Sequence, residues 1–108
     1  MSVYILIKQH HRDHYKSYQD ETTILQAYNN KDDACSQAVQ HFKQFFQDTL
    51  FYENYLEYTT WYNSLENLSN EEQYLCCKKE LQYYKDKGGE FTTYPTYQDF
   101  TVIEKEVV

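Results

Sequence analysis

Glycine is almost missing from this chain: Gly88 and Gly89 are adjacent, late, and the only two. Phosphate-cradling loops need glycines just ahead of a helix, so the P-loop and dinucleotide-binding folds and their nucleotide chemistry are excluded. Cysteine is also scarce, with Cys35, Cys76 and Cys77 an odd set in which two are neighbours. That set makes no disulfide framework, and Cys76-Cys77 has the spacing of neither a Cys-x-x-Cys redox pair nor a zinc knuckle. An odd thiol count fits a reducing compartment. Basic side chains are outnumbered 10 to 17, for a formal charge of −7, so a nucleic-acid backbone is repelled on average and is not an expected partner. No stretch approaches the ~20 apolar residues of a membrane span, and the opening run Met1–Ile7 is too short for a signal-peptide core with its cleavage site. The expectation is an intracellular protein of cytoplasm or nucleus, neither secreted nor membrane-bound.

Aliphatic residues are thin too: Leu, Ile, Val and Phe supply 8, 4, 5 and 6 of 108 residues. That fraction lies just above the roughly 20% at which disorder becomes the default. The chain compensates with 13 tyrosines and one tryptophan, each able to bury roughly 150–250 Å² while its polar tip stays hydrogen-bonded. Tyrosine is therefore expected to carry much of the core. The length suits one domain, 1–108, with no repeat or linker.

Val3–Lys8 is a β-branched and aromatic run that reads as a strand, apolar enough to be buried on both faces near its middle. A polar stretch, Gln9–Glu21, reads as a long connection to a second strand, Thr22–Tyr28, paired with the first as an antiparallel hairpin. Asn30 with Asp33 marks a helix start. Beyond it Ala34, Cys35, Ala38, Val39, Phe42, Phe45, Phe46 and Leu50 fall within an arc of about 160° at helical spacing. From Phe51 to Leu68 two overlapping apolar stripes predict a helix, with a strand through Tyr55–Tyr62 as the alternative. Ser69 and Glu72 form a capping box for a further helix that stops at Gly88-Gly89 and buries Tyr74, Cys77, Leu81 and Tyr84. On its other side Lys78, Lys79, Lys85 and Lys87 alternate with acids, as on a solvated face. Pro95 marks a turn or edge in an extended segment, Phe91–Tyr97, and Phe100–Val107 reads as the last strand. The order β-β-α-α-α-β predicts an α+β fold, a small antiparallel sheet of about three strands against two or three helices.

The pattern Val3-Tyr4-Ile5-Leu6, then Ile24-Leu25-Gln26-Ala27-Tyr28, then Asn30-Lys31-Asp32-Asp33-Ala34 with Ala38 resembles a loosely defined group of small α+β domains of bacterial, phage and viral proteomes. The likeness covers roughly the first 45 residues and the last strand. It implies a fold and no activity, since that group has none assigned. The tyrosine-rich stretch from Phe51 to Gly89 departs from it. Abundant Tyr, Asn, Lys and Gln with little Gly and Pro is also similar to orphan proteins of large DNA viruses, which implies a viral, host-interacting or virion-associated protein.

Three groups carry candidate chemistry. His10, His11 and His14 beside Asp13 are the one potential metal set, because imidazole is a common zinc ligand; the competing reading is a loop kept polar for solubility. His41 lies at the border of the first helix's two faces and reads as surface. The thiols read as packing: one of Cys76 and Cys77 in the core and one at its boundary, with Cys35 inside the apolar arc. Asp32-Asp33 and Glu71-Glu72 sit where helix starts favour negative charge.

The aromatic excess between Phe51 and Tyr84 is more than one face of two helices can bury. Tyr55, Tyr58, Trp61 and Tyr62 are accordingly candidate interface residues, since Tyr and Trp give large contact area with few rotors to immobilise. Filling a leucine-poor core is the other use for them. The functional expectation is a non-enzymatic protein-interaction or structural module, a homodimer, with no cofactor and no catalytic residue. The alternatives are a small metal-binding protein or enzyme built on His10, His11 and His14, and an acidic mimic of nucleic acid.

Overall fold

A computed structural model describes residues 1–14, 17–50, 55–87 and 96–108, with side chains described outside 11–20, 49–59 and 84–97. Strands β1 (Ser2–His14), β2 (Ser17–Tyr28) and β3 (Thr96–Glu106) form one antiparallel sheet in the order β2-β1-β3. The fold is α+β. β1 is central, paired from Tyr4↔Tyr28 to His14↔Ser17 on one side and from Ser2↔Glu106 to Arg12↔Thr96 on the other. Gln9–His14 and Ser17–Glu21 are therefore strand and not the long connection that their polarity predicts. Two flanking ladders satisfy the backbone of β1 whatever its side chains, so cross-strand pairing overrides local propensity there.

Helix α1 (Lys31–Phe45) starts as the sequence predicts: the Asn30 side chain accepts from the Asp33 amide at 2.8 Å and donates to the Asp33 carboxylate at 2.9 Å. Its buried residues are those of the predicted arc, Ala34, Cys35, Ala38, Val39, Phe42 and Phe45. The helix runs on as one π-helical turn, Phe46–Leu50, which local pattern does not signal. The Leu50 side chain lies outside the described residues. α2 (Tyr55–Ser64) settles the ambiguity at Tyr55–Tyr62 in favour of helix. α3 (Asn70–Lys87) opens on the Ser69 hydroxyl, which accepts from the Glu72 amide and donates to the Glu72 carboxylate, both at 3.2 Å. Gly88, Gly89, Phe91, Pro95 and the Tyr84 side chain lie outside the described residues.

The core sits between one sheet face and α1, with α3 beside it. Phe42 is its centre, edge-on to Phe100 at 5.1 Å and stacked on Phe46 at 5.6 Å. Leu6, Cys35, Val39, Tyr74, Cys77 and Leu81 complete the enclosure. Among the described side chains Tyr74 is the one buried tyrosine and Tyr28 packs partly buried against the core, while Phe42, Phe45, Phe46 and Phe100 are all buried; the side chains of the other tyrosines expected there, Tyr52, Tyr55, Tyr58 and Tyr84 among them, lie outside the described residues. A phenolic oxygen needs a partner once buried, and a phenyl ring does not.

α3 is tied to its neighbours at two places. At its start Lys31 meets Glu71 at 2.7 Å and Asn70 donates to Asp32 at 3.0 Å, joining the first turns of α1 and α3. The charged pair there is half exposed and adds little to stability. Further along, the Tyr74 hydroxyl accepts from the backbone amide of Val102 at 3.1 Å. One turn on, Lys78 donates to Asp99 at 2.7 Å and to Thr101 at 2.8 Å. Lys78 is thus no member of a solvated face; it crosses to β3, where its pair with Asp99 is largely shielded from water.

Candidate interaction surface

Side chains alternate across a strand, so Leu6, fully buried against α1, identifies the covered face of β1, and Val3, Ile5, Ile7 and Gln9 belong to the opposite one. Pairing carries that face onto the neighbouring strands. Ile5 lies between Ala27 and Ile103, and Ile7 between Ile24 and Thr101. A bulge between Leu6 and Ile7 inserts one residue into β2, which lets Leu25 and Tyr28 pack on the core while Ile24 stays on the far side.

Among the described residues no helix lies over the isoleucines of this second face; α3 reaches its β3 margin, where Lys78 holds the Asp99 and Thr101 side chains. Ile24 is 70% exposed and Ile103 44% exposed, and the molecule is 18 Å thick in its thinnest direction, which matches two layers. The expectation that β1 is buried on both faces is therefore corrected: it is apolar on both and covered on one. Scattered apolar residues on a surface are ordinary, but isoleucines from three adjacent strands form a contiguous patch.

The candidates drawn from sequence lie elsewhere. Trp61 is partly buried, its ring edge-on to Phe46 at 5.1 Å, so much of it serves the core. Tyr62 is exposed, with the Lys43 ammonium 4.1 Å from its ring centre. The side chains of Tyr55 and Tyr58 lie outside the described residues. His10, His11 and His14 all belong to β1, opposite Glu21, Asp20 and Ser17 of β2. Among the described residues no group of three His, Cys, Asp or Glu side chains is placed to hold a metal ion, and the side chains of His11 and His14 are not among them.

His41 stacks on Phe100 at 5.0 Å beside a cleft of about 200 Å³ that Lys8 and Asp48 also line. Partial burial, with Lys8 nearby, holds its imidazole below the ordinary 6.5, so it is neutral at neutral pH. The cleft is smaller than the ~300 Å³ at which small-molecule sites begin. Burial pushes the Cys35 thiol up and the Cys77 thiol up to about 12, which keeps both protonated and unreactive.

No protein-family model matches this chain, and no curated protein or solved structure is significantly similar to it.

Proposed function

We propose that this chain is a non-enzymatic protein-interaction module that works by burying the open face of its sheet against another protein. The observation that carries the reading is the mismatch at β1. Its run Val3-Tyr4-Ile5-Leu6-Ile7 has the composition of a strand enclosed on both sides, and in the described structure one side alone is enclosed. The protonated, buried thiols of Cys35 and Cys77 point the same way, since neither is a nucleophile. The sheet face takes precedence over the α2 aromatics because Trp61 is engaged by Phe46.

Photo-cross-linking in the producing cell tests this. A photo-activatable residue is placed at Ile103 in one variant and at Gln40, exposed on α1, in another. Discrete protein adducts from position 103 and none from position 40 are expected. Adducts from neither position, or equally from both, overturn the reading.

A further inference from the structure

A sheet of three strands has two edges, and here they differ. The β3 edge is sealed by α3: the Val102 amide, which points away from β1, donates to the Tyr74 hydroxyl at 3.1 Å. One turn on, Lys78 holds the Asp99 and Thr101 side chains at the same margin. The β2 edge has no such cover. Among the described residues β2 pairs with β1 on one side, and no group of another element bonds to the backbone on its other side.

Pairing fixes which backbone groups that edge presents. Along an antiparallel ladder each residue turns its N–H and C=O to one side, and its neighbours turn theirs to the other. Val102 pairs with Leu6 and turns outward, so the Leu6 backbone turns to β2. The Val107 amide, bonded to the Met1 carbonyl at 2.8 Å, sets the same alternation from the far end of the ladder. Thr23 and Glu21, opposite Lys8 and His10, therefore turn in to β1. Thr22 and Asp20 between and beside them turn out, and Thr22 is exposed. The bulge at Ile24 and Leu25 bends β2 above this level, and residues 17–24 below it keep an unbroken register. Proteins commonly blunt a free edge with lysine or proline, and β2 contains neither.

We propose that β2 takes an extended, basic segment of another protein as a fourth strand, hydrogen-bonded to the outward groups of Thr22 and Asp20. The inference concerns backbone groups at an edge and goes beyond the open-face reading, on which it does not depend. Main-chain bonds supply the affinity of such an addition, and alternate side chains supply its selectivity. Charge argues for the basic class. β2 carries Asp20 and Glu21 and no cation. One strand further in, Lys8, Arg12 and Asp13 leave the hairpin net acidic, on a chain of −7. Lysine or arginine opposite Asp20 and Glu21 forms favourable cross-strand pairs, whereas acids there repel. A second copy is the poorer occupant, because its own β2 brings the same two acids, no cation and a further −7.

Amide hydrogen exchange of the whole chain, followed by nuclear magnetic resonance, tests it with two synthetic peptides, one alternating lysine and valine and one alternating glutamate and valine. Each is added up to about 1 mM, because short disordered segments bind weakly for their area. The lysine peptide is expected to slow exchange at Thr22 about tenfold at about ten times its dissociation constant, with Thr23 and Glu21, already bonded to β1, little changed. The glutamate peptide is expected to leave Thr22 unchanged. Thr22→Pro removes the outward N–H at a position where an edge tolerates proline, and is expected to weaken the lysine peptide about tenfold. Thr22→Val, which keeps the amide, is expected to bind as wild type does. Unchanged exchange at Thr22, equal slowing by both peptides, or Thr22→Pro binding as tightly as wild type overturns the proposal. So does a mass of twice 13.2 kDa without peptide that Thr22→Pro abolishes, since the edge then belongs to a second copy. Slowing at Thr22 without adducts from position 103 leaves this proposal standing and removes the open-face reading; adducts without slowing do the reverse.

Discussion

Replacing Tyr74 with phenylalanine removes one oxygen from a ring that is 8% exposed and keeps the ring itself, so no cavity opens. The loss falls on β3. Its Val102 amide points away from β1 and donates to the Tyr74 hydroxyl at 3.1 Å, with α3 lying along that edge. Without the oxygen the amide faces an aromatic edge, and a shielded donor left unpaired costs about 1–3 kcal/mol. At about 4–8 °C per kcal/mol for a domain near 100 residues, Tm should fall by about 4–24 °C at neutral pH. Thermal unfolding by circular dichroism measures the first number, and hydrogen exchange at the Val102 amide locates it. Faster exchange at Val102, with Leu6 and Phe42 amides slowed as before apart from the global loss, is the expected pattern. A Tm within about 2 °C of wild type together with unchanged Val102 exchange refutes the claim that α3 seals this edge.

Three further outcomes follow from the same packing. Lys78→Met leaves Asp99 shielded without its cation and should cost about 1–3 kcal/mol in urea unfolding, whereas Lys31→Met, at a pair half exposed to water, should shift the urea midpoint much less; equal losses would contradict the burial argument. Asn30→Ala removes the acceptor of the Asp33 amide and should cost about 1 kcal/mol, visible as faster exchange in the first turn of α1. Cys77 links stability to alkaline pH: its thiol rises from 9.0 to about 12 in the folded chain through burial, so folding favours the protonated form. That contribution is complete below pH 9 and is lost between pH 9 and 12 by roughly 1.4 kcal/mol per pH unit, with Tyr74, also raised by burial, adding to the decline above pH 10. The urea midpoint in reductant should therefore fall from pH 9 upward, and Cys77→Ala should flatten the decline between pH 9 and 10; an identical slope in the variant would exclude Cys77 as its source.

Some of this molecule is written locally. The start of α1 depends on Asn30 and Asp33, three residues apart, and its buried side on residues no more than a dozen apart, so both are legible in the sequence. The Ser69–Glu72 box, the burial of Tyr74, Cys77 and Leu81, and the apolar run of β1 are legible for the same reason. Other features depend on groups far apart in the chain. The polar half of the hairpin is strand because β1 pairs on both sides, and no side-chain pattern between Gln9 and Glu21 encodes that. Phenylalanine outnumbers tyrosine in the described core because enclosure removes the water a phenol needs. Lys78 looks like any solvated helix lysine until Asp99, twenty-one residues away, is brought against it.

The open face shows the division most sharply. By itself the sequence determined that β1 is apolar on both sides, because alternation along a strand is a local property with a period of two. Only the tertiary structure decided which side the helices cover. Leu6 and Phe100 went under α1, and Ile5, Ile7, Ile24 and Ile103 were left on the far side, since one layer of helices can cover one face of a sheet.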